Sequence, residues 1–152
     1  MKALVQRVLQ ASVTVNGELV SSIDKGFLVF FGVEKGDTLK QVDFLAHKIA
    51  ALRIFEDENG KMNLNLSDVG GSVLLVSQFT LAADTSRGNR PGFDNAASLD
   101  IAQNLYLAMA EKLRTYNLCV QTGIFQADMK VSLINDGPAT FLLEKKGDLL
   151  NA

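Results

Sequence analysis

The chain has 152 residues and a mass of 16.5 kDa, the size of one domain, and 47% of its residues are hydrophobic, enough to bury a core. Its 17 acidic and 15 basic residues give a net charge of -2 and a pI near 5.3, which excludes the global basic field of many nucleic-acid-binding proteins. Any such contact would be local. One Cys excludes an internal disulfide, and with one His it cannot form a four-ligand Cys/His zinc site. We therefore predict no metal and no cofactor.

No segment has the pattern of a secretion signal or a membrane span. The apolar start of the chain is interrupted by Gln6, Arg7 and Gln10. The longest apolar run, residues 27–33, is far shorter than the ~20 residues needed to cross a bilayer. We expect a cytoplasmic protein with no membrane partner.

The first third of the chain predicts strands and then a helix. Alternating apolar residues over 3–8 and 12–15, and the hairpin signal Asn16-Gly17 before residues 18–23, predict a β-meander. The run Phe27–Phe31 lacks alternation, which predicts a strand covered on both faces. A covering helix is predicted after Asp37, an acidic cap candidate. Its apolar stripe consists of Leu39, Val42, Leu45, Ala46, Ile49 and Leu52.

The middle of the chain predicts a second buried strand, a loop and a second helix. The strand is expected over Val73–Leu81. The loop is expected over residues 82–95, and its Arg87 and Arg90 are the only residues that we interpret as a basic surface. Ser98 predicts the start of a helix that ends near Tyr116. Its apolar face is formed by Ile101, Leu105, Ala108, Met109 and Leu113.

Strands return from Val120, alternate over residues 129–133, break at 135–138 and resume over 140–143. Strands at both ends with two helices favour an α+β fold: a curved, largely antiparallel, barrel-like β-sheet with two main α-helices, rather than a parallel βαβ series. We assign residues 1–145 to a single domain and residues 146–152 to a polar C-terminal tail, which is expected to be frayed from Glu144 onward.

Ser77 and Thr80 are the candidate nucleophiles, because the end of a buried strand can hold hydroxyl groups rigidly. A structural role is the alternative, since a hydroxyl nucleophile needs a base. The only imidazole, that of His47, borders the apolar stripe of the first helix, and no carboxylate is marked to orient it. Cys119 lies in a strand-like apolar setting and is interpreted as a small core residue.

Other positions are open to more than one interpretation. A trans turn is the default for Gly137-Pro138, whereas a cis bond would point its flanking carbonyls in nearly one direction, as acceptors for a cationic amine. Arg7 is either an edge residue, which the pattern favours, or a buried donor to carbonyls across an interface. Phe125 and Met129 are most simply core residues, and Phe125 is equally able to stack on a base.

Taken together, these segments resemble the D-aminoacyl-tRNA deacylase family in its bacterial and eukaryotic form. Both family signatures are present, as Ser77-Gln78-Phe79-Thr80 and as the Asn-x-Gly-Pro-x-Thr segment 135–140. The likeness runs from Met1 to about Glu144. It includes Gln6-Arg7-Val8, Ala11-Ser12-Val13, Gly32-Val33-Glu34, Lys61-Met62-Asn63-Leu64 and Ala127-Asp128-Met129.

The resemblance implies a homodimeric editing enzyme that hydrolyses the ester joining a D-amino acid to the 3′ end of tRNA, and also mischarged glycyl-tRNA. It implies that Gly137-Pro138 is cis and enters the partner subunit's pocket, where its carbonyls take the substrate's ammonium and exclude an L side chain by a clash. Arg7 would fix this motif across the interface. The terminal 2′-OH of the tRNA would assist the attack, so that no protein nucleophile is required.

We predict roles for four groups of residues, the last of them from the local basic residues rather than from the resemblance. They are the catalytic segment Ser77, Gln78, Phe79 and Thr80, the chiral-selection residues Gly137 and Pro138, the supporting residues Arg7, Asn135, Thr140, Phe125 and Met129, and the tRNA-backbone contacts Arg87, Arg90 and Lys130. Two alternatives stay open. One is an esterase that depends on Thr80 or Ser77, and the other is a non-catalytic dimeric module that binds RNA or a small ligand.

Overall fold

The computed structural model describes residues 1–148. Their strands are β1 (Lys2–Val15), β2 (Glu18–Ile23), β3 (Gly26–Gly32), β4 (Phe55–Glu56), β5 (Met62–Leu64), β6 (Ser72–Ser77), β7 (Cys119–Thr122) and β8 (Met129–Glu144). Their helices are α1 (Leu39–Ala51), α2 (Leu66–Val69), α3 (Leu99–Arg114) and a 3-10 helix, Phe79–Ala82. None of the helices in this part of the chain is long and apolar enough to cross a membrane.

The first three strands form one long hairpin. Asn16 and Gly17 have φ values of 51° and 78°, the positive values of a two-residue type I′ turn. The antiparallel register is continuous from β2, where Ala11 faces Ile23, to β3, where Val8 faces Gly26. Because β8 pairs with β1 along its other edge, β2 and β3 follow each other along one edge of β1. The predicted meander is therefore wrong, since residues 24–25 interrupt the hairpin arm without reversing it.

The main sheet is mixed. β1 pairs antiparallel with β2, β3 and β8, whereas β3 pairs parallel with β6 and β6 with β7. The six strands curve into a nearly closed barrel, and α1 and α3 lie in the connections between the parallel strands. The α+β class, the barrel-like main sheet and the two main helices are confirmed, and β4 and β5 form a separate two-stranded sheet. The fold is not a parallel βαβ series, but β3, β6 and β7 pair parallel within the sheet. β3 and β6 are covered on both faces, as parallel strands usually are.

β3 lies between two hydrophobic clusters. Phe27, Val29 and Phe31 belong to the cluster on the side of the helices, and Leu28 belongs to the cluster on the opposite side. All four side chains are at most 1% exposed, which confirms the strand covered on both faces. The second cluster also contains Val8, Ala11, Val13, Ile23, Leu74 and Val76.

α1 is capped by Thr38. The Thr38 hydroxyl accepts a hydrogen bond from the Lys40 N–H, and the Gln41 side-chain oxygen accepts one from the Thr38 N–H at 2.7 Å. The predicted cap at Asp37 is wrong, because the buried Asp37 carboxylate lies 2.8 Å from the Met1 ammonium instead.

α3 begins after Ser98, as predicted, although the Ser98 side chain accepts no capping hydrogen bond. Leu105, Met109 and Leu113 are buried, which confirms most of the predicted apolar face. Ile101 is 49% exposed because it lies at the margin of the buried stripe. That stripe consists of Leu105, Tyr106, Met109, Ala110 and Leu113.

The limits of two predicted strands differ in the structure. β6 ends at Ser77 rather than Leu81, because the chain turns into the 3-10 helix. β8 is one strand rather than two, and the predicted break is a bulge in it. Since Gln6 faces Thr140 and Val8 faces Asn135, residues 136–139 have only Arg7 opposite them.

The residues after β8 are held against the N-terminus. The Lys145 N–H donates to the Met1 carbonyl oxygen at 3.0 Å, and the Met1 ammonium donates to the Lys145 carbonyl oxygen at 2.9 Å. Gln41 Nε2 donates to the Lys146 carbonyl oxygen at 3.3 Å. A frayed tail is therefore wrong for residues 145–146. Residues 149–152 of the predicted tail lie outside the described residues.

Candidate active site

The segment Ser77–Thr80 leaves the sheet at the end of β6. Ser77 pairs with Phe31 of β3, and the Gln78 N–H donates to the Phe31 carbonyl oxygen at 2.8 Å before the chain turns. A Cβ at Gly32 would lie 2.9 Å from Leu81 Cβ and 3.0 Å from the Gln78 carbonyl oxygen. The absence of a side chain at Gly32 therefore lets the 3-10 helix pack closely on the end of β3.

The segment presents several hydrogen-bonding groups. Ser77 and Gln78 are half-buried, whereas Phe79 and Thr80 are exposed. Gln78 Nε2 donates to Thr80 Oγ1. The N–H groups of Phe79 and Thr80 open the 3-10 helix, and the first N–H groups of a helical turn have no acceptor within that turn. Two main-chain donors, a side-chain amide and a hydroxyl thus lie together.

A cavity of about 300 Å³ lies beside this segment. Ser77, Gln78 and Phe79 form part of its wall, and its volume is at the lower end of the range for small-molecule sites. Phe125 and Met129, which the sequence left open as core or base-contacting residues, are half-buried and line it. Other apolar wall residues are Phe31, Val33, Val76, Ala97 and Val131.

Arg7 is buried beneath the bulge of β8. The residue is 4% exposed, so the edge position favoured by the pattern is wrong. Nε donates to the Asp136 carbonyl oxygen at 2.8 Å, and Nη1 donates to the Ile54 carbonyl oxygen at 2.5 Å. Both contacts lie within one chain. A role of Arg7 across an interface, which the resemblance implies, stays a prediction. The fork of a guanidinium suits such a two-carbonyl site.

The bulge carries the second signature. Asn135 Nδ2 donates to the Arg7 carbonyl oxygen at 3.1 Å and to the Ala139 carbonyl oxygen at 3.3 Å. The Gly137–Pro138 peptide bond is cis, as the resemblance implies and contrary to the trans default. Both residues are exposed and are absent from the walls of the cavity formed by residues 1–148.

Several predicted contact residues lie outside the cavity that the described residues form. Thr140 is exposed on β8 beyond the bulge, and Arg87 and Arg90 are exposed in the loop 82–95. Lys130 is also exposed, and its Nζ lies 2.9 Å from Asp128 Oδ1. None of these four side chains therefore lines the cavity.

No nucleophile and base are paired among the described residues. His47, the one histidine of the chain, is exposed on α1 with its ring 6.3 Å from that of Tyr116. Cys119 is exposed on β7, so its predicted core position is wrong, because the neighbouring Leu118 and Val120 take the buried positions. Within residues 1–148, no group of three or more His, Cys, Asp or Glu is placed to hold a metal ion.

Part of the cavity wall, formed by Ala96, Ala97 and Leu99, is not marked by any sequence motif. The Ala97 N–H donates to the Val33 carbonyl oxygen at 3.1 Å, which holds this segment at the end of β3. Lys2 is not marked either, although its Nζ donates to the carbonyl oxygen of Leu81 in the 3-10 helix at 3.2 Å. Small apolar residues and a lone lysine carry no motif, so no local signal marks them.

The chain is similar to known proteins over almost its whole described length. A sequence model of the D-Tyr-tRNA(Tyr) deacylase family matches residues 4–144. The chain is 58% identical over 144 residues to the D-aminoacyl-tRNA deacylase of Geotalea daltonii, covering 95% of this chain and 96% of that protein. It is 56% identical over 144 residues to the D-aminoacyl-tRNA deacylase of Shewanella amazonensis, covering 95% and 99%.

The fold is similar to the solved structure of the c-Myc DNA Unwinding Element Binding Protein, with a TM-score of 0.90 and 42% identity over 97% of this chain and 100% of that one. The family match and the similarity to the two deacylases span both signature segments. The chain therefore belongs to the D-Tyr-tRNA(Tyr) deacylase family and is an ester hydrolase of that family.

Proposed function

We propose that this chain hydrolyses the ester between a D-amino acid and the 3′ end of tRNA, and the same ester of glycyl-tRNA charged on the wrong tRNA. The observation that carries the proposal is the position of the signature segment Ser77–Thr80 in and beside the wall of a cavity that contains no imidazole. Membership of the deacylase family supports it. A tRNA substrate implies action in the cytoplasm.

The chemistry needs little from protein side chains. An aminoacyl ester is already activated, so orientation of water and stabilisation of the developing oxyanion are the main requirements. The N–H groups of Phe79 and Thr80 are suited to hold the ester carbonyl. Water adds to the carbonyl carbon, the bond to the 3′ oxygen breaks, and that oxygen takes a proton.

We assign assistance of the water to the 2′-OH of the substrate rather than to a protein base. The side-chain partner of Thr80 Oγ1 is Gln78 Nε2, which donates a hydrogen bond and cannot take a proton from the hydroxyl. His47 lies on α1 and does not line the cavity. Thr80 is therefore a contact residue in this proposal and not the nucleophile.

Chiral selection is assigned to a second copy of the chain. Gly137 and Pro138 are exposed and do not contribute to the cavity of their own chain, although Arg7 and Asn135 hold this bulge in place. A segment that is rigid and yet unused in its own subunit fits a role in a partner's site. Its carbonyls would accept the substrate's ammonium, and an L side chain would collide with Pro138 while a D side chain would point to solvent.

The other predicted residues take supporting roles. Phe125 and Met129 would contact the terminal adenosine, because an aromatic ring and a thioether in a half-buried wall suit a flat base. Thr140 supports the bulge region through the hydrogen bond that it accepts from Gln6 Nε2 at 3.2 Å. Arg87, Arg90 and Lys130 would supply the few phosphate contacts that a protein with a net charge of -2 can offer.

One experiment tests the reaction and its alternatives: deacylation of tRNA charged with D- or L-amino acid, with an intact or a 2′-deoxy terminal adenosine. We expect rapid hydrolysis of the intact D-aminoacyl-tRNA, none of the L form, and a loss of at least about 100-fold without the 2′-OH, on the scale of one catalytic group. Thr80→Ala should retain activity within about tenfold, as expected for one hydrogen-bonding contact.

Two other results would each support a rival. An esterase that uses Thr80 or Ser77 as nucleophile would lose its activity in Thr80→Ala or Ser77→Ala and would cleave the 2′-deoxy substrate well. A non-catalytic dimeric module would bind D-aminoacyl-tRNA saturably without turnover. Glycyl-tRNA serves as the control for chirality, because glycine has no side chain to collide with Pro138.

A further inference from the structure

Two phenylalanine rings lie exposed side by side next to the cavity. Phe79 is 57% exposed and Phe93 is 39% exposed, and their ring centroids are 5.1 Å apart at an interplanar angle of 60°. Large aromatic side chains are usually buried or form part of an interface. This exposed pair therefore indicates a binding surface.

Both rings stand on backbone that also builds the cavity. Phe79 itself lines the cavity, and the Phe93 carbonyl oxygen accepts a hydrogen bond at 3.0 Å from the N–H of Ala96, a wall residue. Two main-chain hydrogen bonds of 2.8 and 2.9 Å join Asp84 to Gly92, just before Phe93. The backbone that carries the rings is thus held by main-chain hydrogen bonds before any ligand binds, which lowers the entropic cost of binding.

The bridge between Asp84 and Gly92 closes a loop that contains two exposed guanidinium groups, those of Arg87 and Arg90. Neither forms an ion pair within residues 1–148. The Asp84 carboxylate of the same loop accepts a hydrogen bond from the Ser86 N–H at 2.9 Å. Aromatic faces beside free cations are the arrangement by which proteins bind single-stranded nucleic acid.

We propose that Phe79 and Phe93 form a stacking platform for the unpaired nucleotides that precede the terminal adenosine of tRNA. The inference rests on the proposed function, which puts that adenosine in the cavity. The strand leaving the cavity would pass the two rings and then reach Arg87 and Arg90. Stacking accepts any base, since every base has a π face, which suits an enzyme that acts on many tRNAs.

The first test compares two substrates, D-aminoacyl-tRNA and the D-aminoacyl ester of adenosine alone. Phe93→Leu should raise KM for the tRNA about tenfold, in the lower part of the range for stacking of a base on an aromatic ring. It should leave kcat for the tRNA and cleavage of the adenosine ester unchanged. Phe93→Tyr, which keeps the ring, should behave as the wild type.

Phe44→Leu is the matched control, because Phe44 is 45% exposed on α1 and does not line the cavity. It should change neither substrate's kinetics. An equal loss on both substrates in Phe93→Leu would overturn the platform, since it would indicate a role in the cavity wall. Unchanged kinetics on both would overturn it as well. So would a change of oligomeric state in Phe93→Leu by light scattering, which would assign the rings to an interface between copies of the chain.

A second test needs no turnover and separates this inference from the proposed function. Fluorescence anisotropy would measure the binding of uncharged tRNA and of the same tRNA without its three terminal nucleotides. The wild type should bind the intact tRNA more tightly, and Phe93→Leu should remove most of that difference. Equal binding of both tRNAs by the wild type would overturn the platform. Failure of the wild type to hydrolyse either ester would refute the proposed function but leave this binding result interpretable.

Discussion

Arg7 and Asn135 hold the β8 bulge through main-chain contacts in both directions. Arg7 Nε donates to the Asp136 carbonyl oxygen at 2.8 Å, and Asn135 Nδ2 donates to the carbonyl oxygen of Arg7 at 3.1 Å. Two side chains therefore position the Gly137–Pro138 segment at a point where regular pairing between β1 and β8 is interrupted.

Arg7→Lys should weaken both activity and folding. A lysine cannot reproduce the two directed donations to the Asp136 and Ile54 carbonyl oxygens, so at least one buried carbonyl loses its partner. We expect the free energy of unfolding to fall by about 2 kcal/mol, measured by urea denaturation. The kcat/KM for D-aminoacyl-tRNA should fall at least about tenfold, since a 1 Å displacement of a positioning segment costs more than that.

Asp136→Asn is the control for Arg7. It removes the ion pair, in which Arg7 Nε lies 3.3 Å from Asp136 Oδ2, but keeps the carbonyl contact. The Asp136 side chain is 41% exposed, so screening by solvent limits the expected loss to less than about 1 kcal/mol. A larger effect of Asp136→Asn than of Arg7→Lys would contradict the carbonyl contact as the main support.

Gly137→Ala should disturb the same segment by a clash. A Cβ at Gly137 would lie 2.6 Å from Asn135 Oδ1, so the Asn135 amide must move and lose its hydrogen bonds to the Arg7 and Ala139 carbonyls. We expect at least about tenfold lower kcat/KM, on the scale of the loss of one or two hydrogen bonds. In Asn135→Ala/Gly137→Ala the clash is absent, so the double variant should lose little more than Asn135→Ala alone. Additive losses in this cycle would rule the clash out.

Asp37→Asn should destabilise the fold. The Met1 ammonium and the Asp37 carboxylate are both fully buried and lie 2.8 Å apart, so the variant leaves a buried cation without its buried counter-ion. Removal of one partner from such a pair costs about 3 kcal/mol or more, which chemical denaturation would measure. Glu34→Gln is the control: Glu34 lies 3.1 Å from the same ammonium but is 20% exposed. If both variants cost the same, burial is not the decisive factor.

Tyr106 should make the fold sensitive to alkaline pH. Burial raises the pKa of Tyr106 from 10.0 to about 12, and its hydroxyl donates to the Leu75 carbonyl oxygen at 2.9 Å. Between pH 10 and 12 the folded state therefore keeps a proton that the unfolded state releases. The contribution of the neutral Tyr106 hydroxyl to the free energy of unfolding is fully present below pH 10 and is lost as the pH rises from 10 to 12. The free energy of unfolding of the wild type should fall more steeply over this range than that of Tyr106→Phe.

The salt dependence of kcat/KM should be shallow. Two or three phosphate contacts on a single strand give a slope of about -1.4 to -2.1 in log kcat/KM against log salt concentration. Arg87→Ala should reduce the steepness by about 0.7. Lys130→Ala should change it less, because Lys130 Nζ is paired with Asp128 at 2.9 Å. A slope steeper than about -4 would mean that many more cations contact the tRNA.

Local sequence patterns correctly predicted the structural features that depend only on neighbouring residues in the chain. The Asn16-Gly17 turn, the stripe of α1 and the strand covered on both faces follow from backbone preference and periodicity, which act over a few residues. The apolar runs without alternation in β3 and β6 are also typical of parallel strands, and these two strands do pair parallel.

The predictions for Asp37 and Arg7 are wrong because each side chain can be accommodated in two different environments. Asp37 resembles a helix cap, but the Met1 ammonium engages its carboxylate, and that contact spans 36 positions of the chain. The alternation in β1 favoured an exposed Arg7, yet the bulge of β8 covers it and supplies a carbonyl acceptor. A local sequence pattern does not indicate which group from a distant part of the chain contacts the side chain.

The sequence by itself determined the family, through two signature segments, and the α+β class with its two main helices, because motifs and periodicity are properties of consecutive residues. Three features were decided only by the tertiary structure: the mixed pairing of the sheet, the burial of Arg7, and the cavity. The cavity lies between the ends of β3 and β6 on one side and the segment at Ala96 and Ala97 on the other. Those features depend on contacts between residues far apart in the chain. These contacts form because they allow close packing of apolar side chains and give buried polar groups hydrogen-bond partners.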